Sequence, residues 1–198
     1  MIVARGFPLA LSLALALAGC REGEPRSLTL GFDSYGAAPV VVTFFQINGA
    51  DTGLVPTVVA GMADDGNPRF ASATYGGDYP RGDGGVVRVE ARWVELLTSR
   101  AYAAEVSAPL DAFDRRDPDT LYIVPVFGPN GLLLVTSDPI TDSATDFTLN
   151  DVTRACGSRM AEADTDYAAD PTALARLQEI MALDFPVVTD PECPDPGG

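Results

Sequence analysis

The chain has 198 residues, with 28 acidic and 13 basic side chains, no histidine and a net charge of −15 at neutral pH; every basic residue is arginine. A surface this negative excludes binding to nucleic acid and polybasic attachment to anionic lipid, both of which need clustered cations. Without histidine or lysine there is no Ser-His-Asp or Cys-His nucleophile, no histidine metal site and no Schiff base, which leaves carboxylate chemistry, a lone hydroxyl or thiol, or calcium.

Arg5 precedes an apolar run over residues 7–18, shorter than the roughly 20 residues that cross a bilayer as a helix. The layout is that of a secretory signal, but the run closes on Leu17-Ala18-Gly19-Cys20 instead of an A-x-A-like site. This segment resembles the signal of bacterial lipoproteins. The resemblance implies a signal peptide over residues 1–19, cleavage before Cys20, and lipid on the sulfur and amino group of Cys20. Arg21, rather than aspartate, follows the cysteine; by resemblance to enterobacterial sorting this implies the outer membrane, periplasmic side. Residues 20–26 read as the lipidated cysteine and a short polar tether. What remains suits one domain, long enough to bury a core without a staple.

From residue 27 to about 138 the pattern is β. Residues 28–32 and 40–48 are rich in β-branched and aromatic side chains, and Asn48-Gly49 supplies turn chemistry. Residues 55–61 form a third candidate strand, ended by the turn cluster 64–68, and residues 70–75 alternate weakly. The clearest strand is residues 86–94, where Val87, Val89, Ala91 and Trp93 face one way and Arg88, Glu90 and Arg92 the other. Trp93 is thereby expected in the core. Alternation continues through Tyr102, Ala104 and Val106 to Pro109. Residues 120–127 and 132–136 follow, joined across Gly128-Pro129-Asn130-Gly131 as a hairpin. Pro125 inside the first of these predicts an edge strand or a bulge. The expected fold is mainly β, an antiparallel sandwich or partly closed barrel.

Residues 139–198 read as a helical extension packed on the β domain. Asp170-Pro171 has the form of an N-cap with proline at the first helical position, and Leu174, Leu177 and Ile180 recur at helical spacing, which predicts a helix over 171–184. A weaker helix is expected over 151–163, with Gly157 counting against it.

Three cysteines are present. With Cys20 lipidated in an oxidising compartment, Cys156 and Cys193 are expected to pair, closing a loop worth roughly 4 kcal/mol. A redox pair is the alternative, though no C-x-x-C motif supports it. The acidic runs at Asp111, Asp114, Asp117, Asp119 and at Glu162, Asp164, Asp166, Asp170 lack EF-hand spacing, and read as solvated loops, not a calcium site. Arg81-Gly82-Asp83 is too short a motif to carry an adhesion role. No cofactor and no catalytic residue are expected. Exposed loops are where contacts are sought: Asp64, Asp65 and Asn67; Asp78, Tyr79, Arg81 and Asp83; and Asp111, Asp114 and Asp117.

The order of segments adds a second resemblance. Phe45-Gln46-Ile47-Asn48-Gly49 is followed by a glycine-rich loop, Tyr79-Pro80-Arg81-Gly82, the strand at 87–93, Val106-Ser107-Ala108-Pro109, Leu121 to Val126, and Gly128-Pro129-Asn130-Gly131 before Thr136-Ser137-Asp138. Over about residues 28–138 this resembles a family of small proteobacterial lipoproteins. Members are often encoded beside type VI secretion phospholipase effectors and resemble their immunity proteins. Ala73-Thr74-Tyr75 stands where that family carries paired cysteines. The resemblance implies a protein partner of the phospholipase-effector class and a steric, non-enzymatic role. The alternative is a structural or assembly lipoprotein of the cell envelope.

Overall fold

The computed structural model describes residues 23–53, 56–61, 73–115, 117–137 and 150–197. Cys20 and the 64–68 turn cluster, with Asp64, Asp65 and Asn67, lie outside them.

Strands β1 (Ser27–Ser34), β5 (Ala73–Asp78), β8 (Thr120–Gly128), β9 (Leu132–Ser137) and β10 (Asn150–Cys156) form one sheet in the order β10-β9-β8-β1-β5. The second sheet runs β11-β7-β6-β2-β3, from β2 (Val40–Ile47), β3 (Ala50–Asp51), β6 (Val86–Glu95), β7 (Ala101–Pro109) and β11 (Ser158–Arg159), with β4 (Thr57–Val59) also paired to β2. This is the expected sandwich, with one exception to its antiparallel pairing: β1 and β8 run parallel, Ser27 opposite Thr120 and Ser34 opposite Phe127.

Alternation decides which side chains fill the space between the sheets. Val87, Val89, Ala91 and Trp93 of β6 are all buried there, and Arg88 and Arg92 point out. Leu28, Leu30 and Phe32 of β1 and Leu121, Ile123 and Phe127 of β8 meet them from the other sheet. Phe32 and Phe45 pack edge to face at 5.1 Å, and Trp93 and Phe127 meet at 5.2 Å with their rings tilted by 54°, so two aromatic pairs bridge the layers. At about 25 cal/mol per Å2 and roughly 150–250 Å2 per ring, each buried aromatic carries some 4–6 kcal/mol of transfer free energy.

Two bulges change the pattern. In β2 the register against β6 shifts between Val42 and Phe44. Thr43 is the extra residue, so Val40 and Val42 face the core before it and Phe45 and Ile47 after it. In β10 the shift falls between Asp151 and Thr153.

Three expectations are corrected. Of the helix expected over 151–163 only a 3-10 turn at Ala161–Ala163 remains: β10 belongs to one sheet and β11 to the other, and the chain passes between them at Gly157. A Cβ at that glycine would meet Ala103 O and the Trp93 ring at 3.0 Å. The extension outside the sheets thus begins at Met160. The 171–184 helix shrinks to α1 (Leu177–Met181): Asp170 accepts from Thr172 as an N-cap does, but Arg176 takes a left-handed φ of 65° and breaks the run before Leu177. Pro125 lies on an interior strand without a bulge; the ladder to β1 simply lapses between the Leu30–Ile123 and Asp33–Val126 pairs, where proline has no N–H to give.

Leu177 and Ile180 of α1 join Val41 and Leu96 in a second apolar cluster, with Tyr167, Leu174 and Phe185 at its margin. The extension therefore covers part of the outer face of the β2-containing sheet. The Cys156–Cys193 disulfide ties the tail to the end of β10.

Candidate functional site

Among the described residues, the strand directions gather Asp78, Tyr79, Arg81, Asp83, Asp111, Asp114 and Asp117 at one end of the sandwich. There β1 begins beside the end of β5 and the start of β8, with Ser27 opposite both Asp78 and Thr120; in the other sheet Val86 of β6 lies opposite Pro109 of β7. Asp78 is exposed. Tyr79 is buried, and its hydroxyl accepts from Asn48 Nδ2 at 3.1 Å. Burial pushes the phenol above its usual pKa, against the pull of this bond. Arg81 pairs with Glu24 at 3.5 Å. Asp83 starts the exposed turn Asp83–Gly85, and Asp111 sits in the turn Leu110–Ala112.

The acidic run nearby is a set of separately partnered side chains. Asp114 accepts from Asn150 Nδ2. Asp117 accepts from the Asp119 amide at 3.0 Å and the Thr120 hydroxyl at 2.9 Å, which together hold its carboxyl below the ordinary range. Asp119 faces Arg26 at 3.6 Å. Among the described residues no three His, Cys, Asp or Glu side chains converge as a metal site. The second acidic run is likewise divided: Asp164 binds Arg159 through both oxygens at 2.7 and 2.8 Å, and Asp166 accepts from the Ala169 amide.

Two residues outside the expected contact set, Asn48 of the turn and Arg115 of the acidic run, organise this end. Asn48 spends its whole amide there, donating to Tyr79 and to Pro80 O at 2.7 Å and accepting from the Arg88 amide at 2.8 Å. Arg115 donates to Gly23 O at 3.0 Å and Pro118 O at 2.8 Å. The Arg26 and Ser27 amides both reach Asp119 O, and the Tyr79 amide reaches Arg26 O. Residues 23–26, read as tether, are thus fastened to the body.

At the opposite end lie the β6–β7 turn, the β8–β9 hairpin and the C-terminal tail. Arg100 pairs with Asp195 at 2.7 Å, Asn130 Nδ2 donates to Cys193 O at 3.0 Å, and Glu192 accepts from Arg154 and Tyr35. Beside this end, between the outer face of β2 and β6 and the extension, runs a surface groove of about 480 Å3 bounded by Phe44, Arg92, Val94, Met160, Ala163 and Thr165. Arg92 lies over the Phe44 ring at 4.6 Å and pairs with Glu90. Trp93, by contrast, is a core residue as its alternation predicts, 1% exposed.

Comparison with protein-family models, with curated proteins and with solved structures gives no match for this chain.

Proposed function

We propose that this chain is a periplasm-facing, lipid-anchored binding domain that acts as an inhibitor of a secreted phospholipase-type toxin. The anchor rests on Leu17-Ala18-Gly19-Cys20, and the toxin class on the resemblance over residues 28–138. The observation that carries the binding role is the packing between the sheets. Phe32, Phe45, Trp93 and Phe127 fill that space in mutual contact, so recognition belongs to the surface. Steric obstruction needs no catalytic group, and anchoring concentrates the inhibitor where a lipase must act. The net charge of −15 speeds capture of a toxin with a basic face and makes that capture salt-sensitive.

The test mixes the soluble domain from Arg21 onward with the phospholipase-like product of an adjacent gene, where one is encoded, and follows lipid hydrolysis against the ratio of the two. Inhibition complete near equimolar ratio supports the reading. Absence of both inhibition and micromolar binding replaces it with the envelope-assembly role, for which co-purification with a resident envelope complex is the corresponding observation.

A further inference from the structure

If Cys20 carries lipid, the length of free chain beyond it fixes which end of the domain meets the membrane. Gly23 is already held by Arg115, and Glu24 by Arg81. The backbone of Arg26 and Ser27 is bonded to Asp119 and Tyr79, and Pro25 is buried. Only Arg21 and Glu22 lie between the anchor and this fastened segment. Three Cα steps of about 3.8 Å span at most about 11 Å, while the ten residues of β6 alone reach some 30 Å along the sandwich.

We infer that the lipidated protein holds the end built from residues 79–85, 110–115 and 117–119 against the membrane and presents the opposite end, with the β6–β7 turn and the disulfide-bound tail, to the periplasm. The inference rests on the anchored reading above. The membrane-facing end carries Asp78, Asp83, Asp111 and Asp117 as well as the paired Glu24 and Asp119. Among the described residues its cations are Arg26 and Arg81, paired with Asp119 and Glu24, and Arg115, bonded to Gly23 O and Pro118 O; acid outnumbers base there, so this end is repelled by anionic headgroups and stands off from them. A gap of about 11 Å is the width of a single helix, too narrow for a folded protein. Asp78, Arg81, Asp83, Asp111, Asp114 and Asp117 then lie on the lipid side, with Tyr79 buried beneath them, and a protein partner meets the flanks and the distal end.

The test uses the lipidated full chain in vesicles of phosphatidylethanolamine and phosphatidylglycerol that carry an energy acceptor on a headgroup. A donor dye is placed on Asp83→Cys or Asp111→Cys at one end, or on Leu97→Cys at the other. Cys156 and Cys193 are bonded to each other and Cys20 bears the lipid, so the added thiol alone is labelled. Transfer from position 83 or 111 is expected to exceed that from position 97 by roughly threefold or more over the length of the strands. A flexible Gly/Ser insertion of about 30 residues after Glu22 should bring the values together. Equal or reversed transfer in an anchored protein overturns the orientation alone, as does a difference that survives the insertion. A chain that stays in the aqueous phase of a detergent separation, as Cys20→Ala must, overturns the anchor and the orientation with it.

Discussion

Glu95 Oε1 accepts the backbone amide of Gly131 at 2.9 Å, and this bond ties the end of one sheet to the hairpin of the other. The carboxylate is 4% exposed, and its second oxygen accepts from the Thr98 hydroxyl at 2.7 Å. Behind it, Tyr102 packs on Trp93 with ring centroids 5.9 Å apart, and burial together with the Glu95 charge raises the Tyr102 phenol above its usual pKa.

Burial raises the pKa of Glu95 above the ordinary 4.5, against the pull of its hydrogen bonds. The native state therefore holds this proton more tightly than the unfolded chain. The resulting stability is fully present below 4.5 and is lost as pH rises through the folded value. Glu95→Gln keeps an acceptor for Gly131 and a partner for Thr98, so at neutral pH it should be at least as stable as the wild type and flatten this part of the pH profile. Glu95→Ala strands a buried amide and should lose about 2–3 kcal/mol. Urea unfolding of both variants between about pH 4 and 7 checks the difference; equal losses would refute it.

Gly131 has φ 81°, and a Cβ there would lie 2.4 Å from Tyr102 Cδ1; Gly49 has φ 75° and open space around it. Both replacements by alanine strain the backbone, at about 1 kcal/mol. Only Gly131→Ala also displaces a buried ring, for a total near 3 kcal/mol or more. Thermal melts of the two variants should rank them in that order.

Reduction of Cys156–Cys193, which spans 37 residues, should remove about 4 kcal/mol of loop-closure stabilisation at most. The tail then depends on exposed pairs such as Arg100–Asp195 and Arg154–Glu192. Hydrogen exchange under reducing conditions should accelerate first in the tail around residues 186–197, before the core strands. Uniform acceleration would mean that the tail and the sandwich open as one unit.

The Asp164 carboxyl titrates at about 2, drawn down chiefly by Arg159 and then by the Ala101 amide. Its contribution to stability is present above 3.8 and is lost as pH falls through about 2. In Arg159→Ala the carboxyl should move back toward 3.8 while keeping part of its depression from Ala101. Carboxyl carbon NMR reads the titration directly; an unchanged midpoint would show that Arg159 is not the cause.

Where the signal is local, sequence and structure agree. The alternation through residues 86–94 places the core side chains of β6 correctly. Asn48-Gly49 does make the two-residue turn between Ile47 and Ala50, with φ of 52° and 75°, because Asn and Gly tolerate the positive φ that a tight hairpin needs. Where a bulge intervenes, the local signal misleads. Val152 and Ala155 both pack on the core at a spacing of three, which looks helical but arises from the β10 bulge beside them. In β2 the extra Thr43 hides a strand whose core positions change parity halfway.

By itself, then, the sequence determined the class of the fold, its strongest strand, its hairpin turns and its charge, which follow from side-chain period, turn chemistry and count; the Cys156–Cys193 pairing followed only once the resemblance at residues 17–20 set Cys20 aside. The tertiary structure decided the parallel pairing of β1 with β8, about ninety residues apart, the passage of the chain between sheets at Gly157, and the fastening of residues 23–26 beside the acidic loops. Period two says which face of a strand is buried but not which strand lies beside it. That choice is made by closing the core over Phe32, Phe45, Trp93 and Phe127 together, a packing condition that no single stretch of the chain contains.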